Sequence, residues 1–190
     1  MKVAIFASGS GTNAQAILEA IEQGSLDMEV ALIFSDKPNA RVLERAAQFQ
    51  IPTLMFEPKN FPSKVEFEQE LVKKLEEAKV EFIVLAGYMR LIGKTLLEAY
   101  EGKMVNIHPS LLPAFPGLDA IGQAFNAKVK VTGVTIHYVD SGMDTGPIIA
   151  QEAVKVDEHD TIESLTSKIQ AVEHRLYPET LQMINTERIR

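Results

Sequence analysis

Short apolar runs alternate along this chain with longer amphipathic stretches, and that alternation constrains the fold more than any other feature. The runs are Lys2 to Phe6, Glu29 to Phe34, Phe82 to Leu85, Met104 to Ile107 and Thr132 to Val139. Their length and composition read as strands, most of them buried on both faces. Helical spacing of apolar residues covers Asn13 to Gln23, Ala40 to Gln48, Lys64 to Lys79, Asp119 to Asn126 and Glu163 to Thr186. Strand and helix in turn predict an α/β fold, a mainly parallel sheet flanked by crossover helices. The last helix carries Ile162, Leu165, Ile169, Val172 and Leu176 in one stripe, which packs on the sheet. No repeat is visible, and the Pro-bearing segment Ile51 to Pro62 is too short and too apolar for a linker. A single domain over residues 1–190 is expected.

Charge and composition then remove whole classes of function. With 19 Lys+Arg against 26 Asp+Glu the net charge is −7, the wrong sign for affinity built on neutralising a phosphate backbone, so no nucleic-acid partner is expected. Zero cysteines exclude disulfides, thiolate metal sites and cysteine nucleophiles. No apolar run approaches the ~18 residues needed to span a bilayer, and the first run ends at once in Ser8 and Gly9, so it reads as a strand and not a signal peptide. A cytoplasmic location without a membrane partner follows as the expectation.

Ligands of such sheets collect at the carboxyl ends of the strands. After the first strand come Ser8, Gly9, Ser10, Gly11, Thr12 and Asn13, then a helix. Glycines admit close approach to an anion, hydroxyls add donors, and the free amides of the helix start carry the positive end of its dipole. The competing reading is a tight turn in which Thr12 or Asn13 only caps the helix. No Lys-Ser/Thr pair follows, which excludes a triphosphate P-loop. Gly9, Gly11 and Ala14 also satisfy G-x-G-x-x-A, with Asp36 after the second strand, so a nicotinamide enzyme stays open on this loop alone. Lys37 and Pro38 beside that acid, and the hydroxyl-rich filling of the loop, suit a terminal phosphate better.

The densest chemical signal is Asn106, Ile107, His108, Pro109, Ser110. Residues two apart on a strand share a face, so Asn106 and His108 project together and Pro109 ends the strand. An amide beside an imidazole offers an N–H for a carbonyl oxygen and a group that moves protons near neutral pH, which is chemistry for acyl-type transfer. Downstream, Asp140 and Asp144 flank two glycines in a bent loop, and a carboxylate near His108 would favour its imidazolium; Asp144 is the better placed. The alternative is that both acids only bond their own turn. No G-x-S-x-G elbow marks a serine hydrolase. The histidines show no metal-ligand spacing, and His137, His159 and His174 read as ordinary surface or packed residues.

With SerGlySerGlyThrAsn at 8–13, AlaGlyTyrMetArgLeuIle at 86–92, AsnIleHisProSerLeuLeuPro at 106–113 and MetAspThrGlyPro at 143–147, the chain resembles the phosphoribosylglycinamide formyltransferase family nearly end to end. That resemblance implies a Rossmann-like sheet and transfer of a formyl group from 10-formyltetrahydrofolate to the amino group of glycinamide ribonucleotide, in purine synthesis, with neither metal nor nicotinamide. It implies a catalytic group of Asn106, His108 and Asp144. Gly11, Thr12 and Asn13 would grip the phosphate and Glu173 the rest of the ribonucleotide, with Gln170 also on that side. Met89, Arg90, Leu91, Ile92, Asn106 and Asp140 would line the folate pocket, and Lys64 stands where the family usually has Arg, keeping the charge but losing the fork. The partners are then small molecules, and the protein a monomer or homodimer. The Asn-x-His-Pro signature also occurs in methionyl-tRNA formyltransferase and formyltetrahydrofolate hydrolase. Those would be expected to carry an additional carboxyl-terminal or amino-terminal domain respectively. A non-catalytic nucleotide-binding module would need the glycine loop but not Asn106, His108 and Asp144 together.

Overall fold

Along β1 (Lys2–Phe6) successive side chains enter two different cores: Val3 and Ile5 pack on one face of the sheet, Ala4 and Phe6 on the other, all of them fully buried. That is the signature of a central strand with helices on both sides. The computed structural model describes residues 1–189. After β1 come α1 (Thr12–Glu22), β2 (Glu29–Ser35), α2 (Arg41–Gln48), β3 (Thr53–Met55), a 3-10 turn at Pro58–Asn60, α3 (Lys64–Glu77), β4 (Phe82–Leu85) and α4 (Lys94–Ala99). The chain continues through β5 (Met104–His108), α5 (Ala120–Asn126), β6 (Val131–Tyr138), β7 (Ile148–Lys155) and α6 (Ile162–Ile189).

One seven-stranded sheet results, in the order β3-β2-β1-β4-β5-β6-β7. β3, β2, β1, β4 and β5 run parallel, while β6 and β7 add as antiparallel neighbours. The sequence pattern anticipates the mainly parallel sheet but not β3, β7 or α4. β3 is three residues long and largely exposed, β7 is an edge strand of mixed exposure, and α4 starts at Gly93, which offers no side-chain cap. Each lacks the apolar periodicity by which an element announces itself.

Because the chain leaves β1 on one side for β2 and returns on the other for β4, the carboxyl ends of β1 and β4 open into the crevice where ligands of such sheets bind. The Ser8 N–H donates to Gly87 O across it at 3.0 Å. Beneath this crevice α6 is fastened by Tyr177, whose ring is fully buried and whose hydroxyl donates to Leu85 O at 2.8 Å, with Val105 O 3.3 Å away. This one hydroxyl therefore ties the longest helix to the end of β4 and to the second residue of β5. Among the described residues no helix is long and apolar enough to cross a membrane.

Tyr177→Phe is expected to lower the unfolding free energy by about 1 kcal/mol, the net worth of one buried hydrogen bond. Urea unfolding measures it; an unchanged midpoint would contradict the role given to this bond.

Candidate active site

In the antiparallel pairing of β5 with β6, Asn106 lies opposite His137 and His108 opposite Thr135, so these side chains share one face at the end of the sheet. The Asn106 amide nitrogen lies 3.4 Å from His137 Nε2, and His137 Nδ1–H donates to Tyr138 O at 2.8 Å, so Nε2 can turn a proton to Asp144 only when this ring carries both. His108 is buried, and its Nε2 lies 2.8 Å from Phe115 O. A carbonyl can only accept, so Nε2 carries a proton. The other nitrogen, Nδ1, faces Asp144 Oδ2 at 3.4 Å and can meet that carboxylate as a donor only when the ring carries both protons.

Asp144 sits between two imidazoles, its second oxygen 3.7 Å from His137 Nε2, while Oδ2 also accepts the Gly117 N–H at 2.8 Å. Partial burial lifts its carboxyl, but the His137 ring, the Gly117 N–H and the charge of His108 together outweigh that and hold it below the ordinary carboxylate range. The loop that presents it is self-fastened. Asp140 Oδ1 accepts the Gly142 N–H at 3.0 Å and the Thr145 hydroxyl at 2.7 Å. Gly146 passes so close to Tyr138 O that a Cβ there would lie 1.8 Å from it, so this turn admits no side chain. The two acids thus divide the readings of the sequence: Asp140 bonds its own turn, Asp144 faces the histidines.

At the end of β1 the backbone of Gly11 is left-handed, at φ 72, and a Cβ there would meet Val42 of α2 at 2.6 Å. Both facts require glycine. No side chain caps α1, so the amides of its first turn stay free for an anion, and the simple capping reading of Thr12 and Asn13 fails. Asn13 instead turns its amide to Glu173 of α6, donating to Oε2 at 3.3 Å. Arg45 of α2 supports the loop from behind, donating to Ser10 O at 2.7 Å. Glu173 is only 7% exposed, and burial lifts its carboxyl to about 7 against the pull of the Asn13 bond. Gln170, half-buried, lies on the preceding turn of the same helix.

A cleft of ≈ 740 Å³ opens beside the Asn106, His108 and Asp144 group, and the Gly11 to Asn13 loop and Glu173 lie outside its lining. Asn106, His108, His137 and Asp144 form one wall, the segment from Gly87 to Ile92 the other, and Asp140, Lys64 and Thr166 also line it. Met89 and Leu91, large and apolar, line it and are more than half exposed, which gives the cleft the apolar surface common to small-molecule sites. Lys64 also donates its ammonium to Leu91 O at 2.8 Å. His137 is the residue that sequence reading missed: it looks ordinary until the β5–β6 register sets it opposite Asn106. His159 is exposed and His174 half-buried, both away from this wall. Asp36 is buried and accepts the Ser8 hydroxyl at 2.6 Å, so it supports the loop from within and does not stand at a ribose. Among the described residues no group of three or more His, Asp or Glu side chains is arranged to hold a metal ion.

A family model described as formyl transferase matches residues 1–181. A phosphoribosylglycinamide formyltransferase of Bacillus subtilis (strain 168) is 56% identical over 183 residues, covering 96% of this chain and 94% of that protein. The crystal structure of phosphoribosylglycinamide formyltransferase from Bacillus halodurans superposes with a TM-score of 0.95 at 65% identity, covering 97% of this chain and 95% of that one. A trifunctional purine biosynthetic protein, adenosine-3, of Gallus gallus is 40% identical over 184 residues, which is 97% of this chain but 18% of that protein.

The raised carboxyl of Glu173 makes a stability prediction. Because the folded chain holds this proton to higher pH than the unfolded chain, the group destabilises the fold as pH rises from the ordinary carboxylate value through about 7. Glu173→Gln should remove that slope and gain on the parent by an amount on the order of 3 kcal/mol between pH 4 and pH 8, each tenfold change in proton affinity being worth ~1.4 kcal/mol. Denaturant unfolding of both proteins at the two pH values measures it, and parallel pH profiles would contradict it.

Proposed function

The chain belongs to the formyl transferase family, and from that premise we propose that it is a phosphoribosylglycinamide formyltransferase of purine biosynthesis. It moves the formyl group of 10-formyltetrahydrofolate to the amino group of glycinamide ribonucleotide, releasing tetrahydrofolate. One observation carries this reading: Asn106, His108 and Asp144 converge in a cleft walled by the Gly87 to Ile92 segment, and that segment is bonded through Ser8 to the loop that bears an uncapped helix start. A donor pocket and an anion cradle therefore meet at one crevice.

Gly11, Thr12 and Asn13 take the phosphate of the acceptor on the free amides of α1. Glu173, held by Asn13, contacts the remainder of that ribonucleotide, with Gln170 beside it. Met89, Arg90, Leu91 and Ile92 line the pterin site, closed from the other side by Asn106 and the Asp140 to Asp144 loop, and Lys64 stands at the folate end. The acceptor amine attacks the formyl carbon, a C–N bond forms, and negative charge moves to the formyl oxygen. That oxygen is met by the Asn106 N–H and by the Nδ1–H of the protonated His108 ring, shared with Asp144, because the Nε2–H is held by Phe115 O. When the bond from the formyl carbon to N10 of the folate breaks, N10 regains a proton and the amine loses one. Asp144, kept ionised by its neighbours, holds the charged His108 in place and receives the amine's proton directly or through water. We place the enzyme in the cytoplasm, acting on small molecules without nucleic acid or membrane, as a monomer or homodimer. The formyl donor is a co-substrate, and neither metal nor nicotinamide takes part.

The test follows tetrahydrofolate release and formylated product by mass, with and without glycinamide ribonucleotide. Product that depends on the acceptor is expected, and His108→Ala should lower kcat by ~10²–10⁴-fold with little change in KM, as for a group acting mainly in the transition state. Formate released without acceptor, or unchanged turnover in His108→Ala, would overturn this reading.

A further inference from the structure

The segment from Tyr88 to Gly93 has no helix or strand of its own, and Met89 and Leu91 turn more than half their surface outward. Tyr88 and Ile92 pack on the apolar layer beneath, but the exposed backbone between them, which forms a wall of the cleft, has no helix or strand ladder to fix it. Polar side chains from two other elements hold it at three successive points. Ser8, at the end of β1, accepts the Met89 N–H at 3.0 Å and is itself held by buried Asp36. Lys64, in the first turn of α3, donates to Leu91 O at 2.8 Å. Glu68, one turn further along α3, accepts the Gly93 N–H at 2.6 Å and the Leu96 N–H at 3.2 Å.

Glu68 is the unusual member, because its carboxylate is 3% exposed in a predominantly apolar layer. A buried carboxylate is costly unless its oxygens are filled, and both of these are filled by backbone N–H groups of the start of α4. Gly93 has no side chain with which to cap that helix, so α3 supplies the cap from outside. The fit is close on both sides: a Cβ on Gly93 would lie 2.5 Å from Glu68 Oε1 and 2.7 Å from the Lys64 stem. An apolar residue at position 68 would fill the same layer but leave the end of the segment free.

We propose that Glu68 is a positioning residue for the formyl donor, acting through the Tyr88 to Gly93 segment, which it anchors at Gly93 while Lys64 and Ser8 anchor it at Leu91 and Met89. The inference rests on the reading of that segment as the pterin wall. Glu68 touches no substrate; it sets the conformation of the residues that do. Lys64 then has a second task besides its charge, since its bond to Leu91 O serves the segment whether or not folate is bound.

The test titrates tetrahydrofolate and glycinamide ribonucleotide separately onto the parent protein and onto Glu68→Gln, which keeps the volume but turns one amide N–H toward a backbone N–H. Tetrahydrofolate binding should weaken roughly tenfold, the equivalent of one hydrogen-bond-sized loss, while acceptor binding stays within about twofold. Amide hydrogen exchange should quicken from Met89 to Leu96 and stay unchanged in β1 and β4. Equal affinity for tetrahydrofolate in both proteins, or equal weakening for both ligands, would overturn the proposal. A parent protein that binds no tetrahydrofolate would overturn the functional reading and this inference with it, so the two failures are distinguishable.

Discussion

The whole site depends on the antiparallel pairing of β5 with β6. Reversal of chain direction at that one pair sets His137 against Asn106 and Thr135 against His108, and so gathers an amide, two imidazoles and a hydroxyl on one face at the sheet's end. Thr135 turns the pairing into a clamp. Its hydroxyl donates to Ser110 O at 2.6 Å and accepts the Leu112 N–H at 3.0 Å, while Gln151 of β7 bonds both that hydroxyl and Leu112 O. The loop after His108 is thereby tied to two further strands, and Phe115 O, at the loop's far end, holds the ring nitrogen that faces away from Asp144. Rigid support of this kind is what a group needs if it is to meet charge that exists only in a transition state.

Two carboxylates near the crevice are driven in opposite directions by their surroundings. Asp144 is lifted by burial but pulled lower by two imidazoles and a backbone N–H, and stays ionised. Glu173, among apolar neighbours with a single amide for company, is lifted to about 7. One fold thus keeps a fixed negative charge beside His108 and, against Asn13 of the β1 loop, a carboxyl that titrates close to neutrality. Divergence of this sort assigns different tasks to chemically similar groups.

Much of this was legible in the sequence. The β1 loop reads as an anion cradle from its glycines, its hydroxyls and the helix start that follows, and Asn106 with His108 shares a face by simple strand alternation; the fold adds that position 11 is left-handed and packed on Val42, which only glycine permits. The hidden parts belong to register and to contacts distant in sequence. His137 looks like any strand histidine until the β5–β6 register is known. Glu68 stands at helical spacing with Leu71 and Leu75 on the buried face of α3, and what fills its carboxylate becomes visible only when Gly93 and Leu96 arrive from the far side of β4. β3, β7 and α4 escape a periodicity reading because each is short or lies on an exposed edge. The distinction between Asp140 and Asp144 likewise required the fold, since both stand in the same glycine-bearing turn.

The central claim is spatial: the phosphate of the acceptor lies on the start of α1, the pterin lies against Met89 to Ile92, and the reacting atoms lie between Asn106 and His108. A crystal structure of the ternary complex with glycinamide ribonucleotide and a non-transferable 10-formyltetrahydrofolate analogue tests it most directly. The account predicts phosphate density on the amides of Gly11, Thr12 and Asn13, and the analogue's carbonyl oxygen at hydrogen-bond distance from the Asn106 amide and the His108 ring. A phosphate bound elsewhere, or a carbonyl turned away from both side chains, would contradict it.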